Sequence, residues 1–412
     1  MKIAIDITIL YIAQAGIFYY HYNLVRALLD RPSPHRFLLL DYYPIHGGWT
    51  NPPEMTHLTA PHAEVRRVKG LRHRKLSRLW FMQRPLLWPL AKGVDQVLLY
   101  PWGKLAEWVM QHQLRKHLDG VALFHASSVV PYALPHAKNV TTIYDLTPLL
   151  FPEHHTLQTR DLYRRFFRFA QTEADAVIVI SEATKGDVIT HLDLEPERVH
   201  VVHAGVDPRF HPLDRATVAQ VLASLELQPQ RYILHVGTIE PRKNLVRLIE
   251  AYHRLRQEVS PPAPQLVLAG ASGWMSGEVF RRVKALGLED DVRFIGRVEG
   301  AVLPALYNGA RLFAYPSLYE GFGMPVLEAM ACGTPVVTSN VSSLPEVVGD
   351  AGLLVDPTDV HQIAQAMVRL LEDDALGYRL RQKGLARAAQ FRWDRAAVKA
   401  LQVYEHLLGT PS

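Results

Sequence analysis

The chain has 412 residues, 48% apolar and 21% charged, with a formal net charge of +5. That length predicts two domains, each with its own core, and the composition excludes a disordered or fibrous chain. One cysteine, Cys332, excludes a disulfide scaffold and points to a reducing compartment, while no run of about 18 apolar residues marks a membrane span.

The opening Met-Lys-Ile-Ala-Ile-Asp-Ile reads as a strand, since its apolar run is short and carries Asp6. Strands are expected at Lys2–Ile9, Arg36–Asp41 and Ala63–Val68, with a helix at Gly16–Asp30 between the first two. From Arg66 to Lys92 nine basic residues occur without an acid, interleaved with Trp80, Phe81, Trp88 and several leucines. Basic residues mixed with Trp and Leu suit an anionic membrane surface, and a solvated surface segment is the competing reading. Nucleic acid is not an expected partner, because no motif for it accompanies the patch.

Further strands fit Leu123–Ala126, Val140–Asp145, Ala176–Ser181 and His200–His203, with helices at Thr156–Thr172 and Glu182–His191. The pattern restarts after Asp207-Pro-Arg-Phe-His-Pro. Strands then fit Tyr232–Val236, Gln265–Ala269, Val292–Ile295, Leu312–Ala314, Pro335–Thr338 and Leu353–Val355. Helices fit Asn244–Glu258, Gly277–Leu286, Ala301–Gly309, Met324–Met330, Val360–Leu371, Ala375–Gln390 and Trp393–Leu408. Alternating strands and helices predict an α/β chain of two doubly wound, Rossmann-like domains. The expected domains are residues 1–207 and 208–392, with the last helix, 393–412, returning to the first.

Two motifs carry chemistry. In Glu320-Gly-Phe-Gly-Met-Pro-Val-Leu-Glu328, two carboxylates stand eight positions apart across a glycine-rich loop and a helix start. Gly321 and Gly323 let backbone approach a ligand, and Pro325 suits a first helical turn. The helix start can hold an anion, leaving one acid on each side of it. A ligand with a hydroxyl-rich ring on each side of a diphosphate is a nucleotide sugar. In His235-Val-Gly-Thr-Ile-Glu-Pro-Arg-Lys-Asn244, Gly237 leaves room at a strand end. Arg242 and Lys243 stand where a helix dipole would repel them, which a bound diphosphate explains. A solvent-facing Arg-Lys pair is the competing reading.

The Pro-Arg-Lys-Asn segment, the Glu–seven residues–Glu segment and the strand spacing between them resemble glycosyltransferase family 4, whose members are retaining and have the GT-B fold. The resemblance is dense from Tyr232 to Gln390. It extends forward through Ala15-Gly-Ile-Phe-Tyr-Tyr, Phe124-His-Ala-Ser, Thr142-Ile-Tyr-Asp-Leu-Thr-Pro and Ile180-Ser-Glu-Ala-Thr-Lys. It implies two domains facing across a cleft. It also implies that Arg242 and Lys243 clamp the donor diphosphate, that Glu320 holds sugar hydroxyls and that Glu328 binds the ribose. Gly321, Phe322 and Gly323 would present backbone N–H groups. Gly16 would lie in a loop closing on the donor, and His125 near the transferred sugar. Asp145 matches the acid of a His-Asp pair, but residue 144 is Tyr here. Read as residues alone, His125 also fits a satisfied core histidine, and Asp145 a turn cap.

No histidine cluster has ligand spacing and no Asp-x-Asp triplet occurs, so neither metal nor other cofactor is expected. The expected reaction moves a hexose, with retention, from a nucleoside-diphosphate sugar to a glycan or lipid-linked acceptor. The resemblance to bacterial surface-polysaccharide enzymes makes GDP-mannose the first-choice donor, with UDP-glucose, UDP-N-acetylglucosamine and dTDP-rhamnose open. The lone cysteine and the basic, Trp-bearing run 66–92 lead to the expectation of a cytoplasmic enzyme with peripheral contact at the inner membrane face. Two alternatives stay open: a sugar-nucleotide epimerase on the same architecture, and a catalytically silent glycan-binding subunit.

Overall fold

The structure is a computed structural model, and it describes residues 1–11, 16–43, 57–69, 112–127, 132–273, 276–298 and 300–409. Two sheets organise it. The first holds β1 (Lys2–Asp6), β2 (Arg36–Tyr43), β3 (Ala63–Lys69), β4 (Leu123–Ala126), β5 (Lys138–Ile143), β6 (Ala176–Val179) and β7 (Val199–Val201). Its strand order is β3-β2-β1-β4-β5-β6-β7. The second holds β8 (Tyr232–Val236), β9 (Gln265–Ala269), β10 (Val292–Gly296), β11 (Leu312–Tyr315), β12 (Val336–Ser339) and β13 (Gly352–Val355). Its order is β10-β9-β8-β11-β12-β13. The pairs β1–β2, β1–β4, β8–β9 and β8–β11 run parallel.

Both sheets therefore have the doubly wound order, reversing direction beside their own first strand. In such sheets ligands bind outside the carboxyl ends of strands at that reversal. In the second sheet the reversal falls between β8 and β11, with Ile233 opposite Leu312 and Leu234 opposite Phe313. There β11 is buried throughout and β8 up to His235, as expected of parallel strands covered on both faces. Leu245, Leu248, Ile249, Tyr252 and Leu255 line the inward stripe of the Leu245–Glu258 helix and join Leu266, Leu268 and Ile363 in one core.

The chain packs as two compact units. One comprises Met1–Thr142, Leu162–Ile178 and Ala397–Ser412, and the other Ile143–Asp161 and Val179–Ala396. Among the described residues no helix is long and apolar enough to cross a membrane.

Most expected elements appear within a residue or two of their bounds. The strand expected at Lys2–Ile9 is the largest departure. It ends at Asp6, whose carboxylate accepts from Thr8 N at 2.9 Å and Thr8 Oγ1 at 2.5 Å, turning the chain into a short 3-10 segment, Thr8–Tyr11. Periodicity missed the helices Arg215–Ala223 and Leu344–Val348. Of the basic segment 66–92, Arg66 and Arg67 lie in β3, paired with Glu64 and Asp41 respectively. From residue 70 onward it lies outside the described residues.

Candidate active site

β8 delivers His235 to the sheet reversal. Two residues on, Gly237 takes the same side of the strand. A turn, Pro241–Lys243, then places Arg242 and Lys243 ahead of the Leu245–Glu258 helix. Asn244 makes that junction in the left-handed region, at φ 59°. Its short amide tolerates this backbone, and its Nδ2 donates to Pro316 O and Pro357 O at 2.9 and 2.6 Å.

β11 delivers Tyr315 beside them, and the loop after it delivers Glu320. Lys243 Nζ donates to Glu320 Oε1 at 2.7 Å and to Tyr315 Oη at 2.6 Å. Arg242 Nη1 stands 2.7 Å from Glu320 Oε2 and donates to Tyr319 O at 2.8 Å. Arg242 Nη2 donates to Glu240 Oε1 at 2.7 Å. Two cations are thus balanced by two carboxylates in a pocket of low exposure. Burial alone would raise the Glu320 carboxyl, but Arg242 and then Lys243 overcome this and hold it at about 2. Burial and the neighbouring guanidinium lower the Lys243 ammonium, with Glu320 opposing them.

The glycine loop is fixed by hydroxyls. Ser343 Oγ donates to Glu320 O and Phe322 O, each at 2.8 Å. Ser181 Oγ and Thr184 Oγ1 donate to Gly321 O at 2.7 and 3.1 Å. A Cβ on Gly321 would lie 2.0 Å from Tyr144 O, so glycine is required there. Gly323 sits at φ 107° and starts the Met324–Ala331 helix, with Pro325 in its first turn. Phe322 is buried against the rings of His203 and Phe391.

Glu328 lies apart from this cluster. It is half-buried, and its Oε2 accepts from Tyr307 Oη at 2.8 Å. Burial pushes its carboxyl up to about 7, against the Tyr307 hydrogen bond. Asp145 Oδ1 accepts from Thr147 N at 2.9 Å and Thr147 Oγ1 at 2.6 Å, closing a side-chain turn just ahead of the short helix Thr147–Leu150, whose N-cap is Leu146. It also adds to the negative charge felt by Arg242. In the other unit His125 is 1% exposed, with Nδ1 2.7 Å from Tyr404 Oη and Nε2 2.9 Å from Thr142 Oγ1. Both ring nitrogens are engaged inside the protein, as in a satisfied core histidine. Gly16 begins the Gly16–Leu29 helix, exposed and with open space beside it.

Sequence reading did not single out Glu240, Tyr315, Tyr307 or His235. Glu240 stands inside the quoted motif, two positions before Arg242, and that proximity to a buried cation was its available signal. The tyrosines gave no signal, because strand and helix aromatics read as core.

Residues 222–387 match the glycosyl transferases group 1 family, and residues 20–210 match glycosyltransferase family 4. The O-antigen chain mannosyltransferase B of Escherichia coli is 36% identical over 278 residues, covering 67% of this chain and 73% of that protein. The chain belongs to the family 4, group 1 glycosyltransferases. Another relative of this glycosyltransferase is the serotype-specific mannosyltransferase WbdA of Escherichia coli. It is 34% identical over 297 residues, 71% of this chain but only 36% of WbdA's length. The D-inositol 3-phosphate glycosyltransferase of Salinispora arenicola is 40% identical over 247 residues, covering 56% of this chain and 55% of that enzyme. Among solved structures, Anabaena Alr3699/HepE in complex with UDP and glucose aligns with a TM-score of 0.70 at 21% identity. That alignment covers 99% of this chain and 100% of that chain, and at this identity it speaks to the fold. The two Rossmann-like, parallel-sheet domains are those of a GT-B glycosyltransferase.

Proposed function

We propose that this glycosyltransferase moves mannose from GDP-mannose to a glycan or lipid-linked acceptor during surface-polysaccharide synthesis, with retention at the anomeric carbon. Residues 208–392 bind the donor and residues 1–207 the acceptor. The Glu320 carboxylate held between Arg242 and Lys243 is the observation that carries the donor reading. Phosphate oxygens are acceptors that compete for the two cations, and sugar hydroxyls are donors that replace those cations on Glu320. Donor binding is then an exchange of partners, in which every buried charge stays paired. Glu328 takes the ribose hydroxyls, and the backbone N–H groups of Gly321, Phe322 and Gly323 face sugar and phosphate. Arg242, Lys243 and the dipole of the Met324–Ala331 helix neutralise the leaving diphosphate without a metal ion. The departing phosphate oxygen accepts the proton of the attacking hydroxyl on the same face of the sugar. The protein's part is to position the reactants and stabilise charge.

The choice of mannose rests on the Escherichia coli relatives. Retention rests on the family. The basic run 66–92 supports peripheral contact at the inner membrane face of the cytoplasm, where a lipid-linked acceptor would be met. The family resemblance supports Gly16 in a loop closing on the donor and His125 near the transferred sugar, and Asp145 adds negative charge beside Arg242. A thermal-shift panel of GDP-mannose, UDP-glucose, UDP-N-acetylglucosamine and dTDP-rhamnose tests the donor. A ligand at 100 times its Kd stabilises the fold by about 2.7 kcal/mol. Incubation with donor alone then separates transfer from epimerisation, since an epimerised sugar nucleotide would overturn the transferase reading.

A further inference from the structure

His235 carries an acceptor that nothing among the described residues uses. Its Nδ1 lies 3.0 Å from Ala314 O, and a carbonyl only accepts, so Nδ1 bears the proton. Nε2 is therefore a bare lone pair. It has no hydrogen-bond partner among the described residues, and the residue is 1% exposed. An acceptor buried without a partner costs roughly 1–3 kcal/mol. The ring cannot turn away from this position. It stacks on Tyr315 at 5.2 Å and 17°, and its Nδ1 is tied to β11.

Nε2 faces the gap that Gly237 leaves. A Cβ at Gly237 would lie 3.4 Å from His235 Nε2 and 3.4 Å from Lys243 Cε. Gly237 itself is only half-buried. On the other side of this group, Tyr315 Oη lies 3.0 Å from Glu320 Oε1. The lone pair thus opens beside the cation read as a phosphate clamp. It is also one aromatic ring away from the acid read as the holder of sugar hydroxyls. Burial lowers the imidazole to about 4, so the ring is neutral near pH 7 and can only accept at Nε2.

We propose that His235 Nε2 accepts a hydrogen bond from a hydroxyl of the donor's sugar, making His235 a further donor-binding residue. The inference rests on the donor-site reading above. A neutral acceptor beside two cations favours a ligand that brings both phosphate oxygens and a hydroxyl donor. A bare nucleoside diphosphate satisfies the cations but leaves Nε2 empty.

Two substitutions separate the ring's two nitrogens. His235→Asn keeps an amide N–H near the Nδ1 position, able to donate to Ala314 O, and removes Nε2. His235→Gln carries an amide oxygen out to the Nε2 position. Calorimetric titration with the four nucleotide sugars named above, and with GDP, UDP and dTDP, gives the comparison. His235→Asn is expected to weaken the preferred nucleotide sugar about 10-fold or more and its free diphosphate less than about 3-fold. His235→Gln is expected to recover most of the loss. If His235→Asn melts too low to titrate, His235→Phe keeps the stack on Tyr315 and serves the same comparison. Unchanged nucleotide-sugar binding in the variant would overturn the inference, showing that no sugar hydroxyl depends on Nε2. Equal losses for sugar nucleotide and diphosphate would also overturn it, showing that His235 serves only the phosphate end or the fold. A parent protein that binds none of the probes would instead sink the donor-site reading, and the inference with it.

Discussion

Lys243 Nζ and Glu320 Oε1 stand 2.7 Å apart with both side chains 9% exposed, and Arg242 holds the second Glu320 oxygen at the same distance. The clamp and the acid are one electrostatic unit. On the proposed donor reading, removing Lys243 takes a cation from the leaving diphosphate, and Lys243→Ala is expected to cut kcat by about 100-fold or more. Steady-state turnover with the preferred donor checks this, and near-normal kcat would refute the clamp assignment.

Glu320 also sets an acid limit on stability. Its carboxyl is held at about 2 in the folded protein, below its ordinary value of 4.5. The folded state therefore binds this proton less tightly than the unfolded chain. The stabilisation is complete above pH 4.5 and is lost as pH falls towards 2, by an order of about 3 kcal/mol. Urea midpoints measured between pH 6 and pH 3 should fall more steeply in the parent than in Glu320→Gln. Parallel slopes would show that Glu320 is not the group responsible.

Glu328 has the opposite sign. Burial raises its carboxyl from 4.5 to about 7, so the folded state holds the proton more tightly than the unfolded chain. Stability drops as pH rises from about 4.5 to about 7 and stays reduced above that. Glu328→Gln keeps an acceptor for Tyr307 Oη without the charge. It should be more stable than the parent at pH 8, by roughly 1–3 kcal/mol, and close to it at pH 5. Guanidinium melts at the two pH values measure this, and equal differences at both would contradict it.

Gly321 tests the geometry of the loop. A Cβ there meets Tyr144 O at 2.0 Å and Asp145 Cβ at 3.1 Å, and the backbone carbonyl cannot move aside cheaply. Gly321→Ala is expected to lose about 1–3 kcal/mol of stability and to weaken donor binding. Gly186, inside the Glu182–Leu192 helix with nothing within 4 Å, is the control. Gly186→Ala should stabilise by up to about 1 kcal/mol. Equal effects in the two variants would place the Gly321 loop in open space, contrary to the geometry.

Much of this protein was legible in its amino-acid order. Alternating buried strands and amphipathic helices determined two doubly wound sheets, because each element must cover its apolar face against another layer. The local order of Gly321, Gly323 and Pro325 determined a glycine-rich helix start, and that of Arg242 and Lys243 a pair of cations, since each feature is confined to a few consecutive residues. The end of β1 was not legible from periodicity. Asp6 and Thr8 stop the strand by a side-chain hydrogen bond that alternation does not record.

What the fold alone decided is which charges meet. Arg242 and Glu320 are far apart in sequence, and only the reversal of strand order between β8 and β11 brings their chain segments together. The same reversal places Tyr315 under Lys243, while Glu240, two residues before Arg242, balances that cation locally. The glycine loop and helix start between them set Glu328 apart from the cluster, so that two glutamates eight residues apart end with carboxyls at about 2 and about 7. The reversal also leaves His235 with one nitrogen bound to Ala314 and the other without a partner among the described residues. Residue identity sets which groups can ionise or accept. Burial and the partner brought by a neighbouring strand set which of them do, because desolvation and short-range charge act through space and not along the chain.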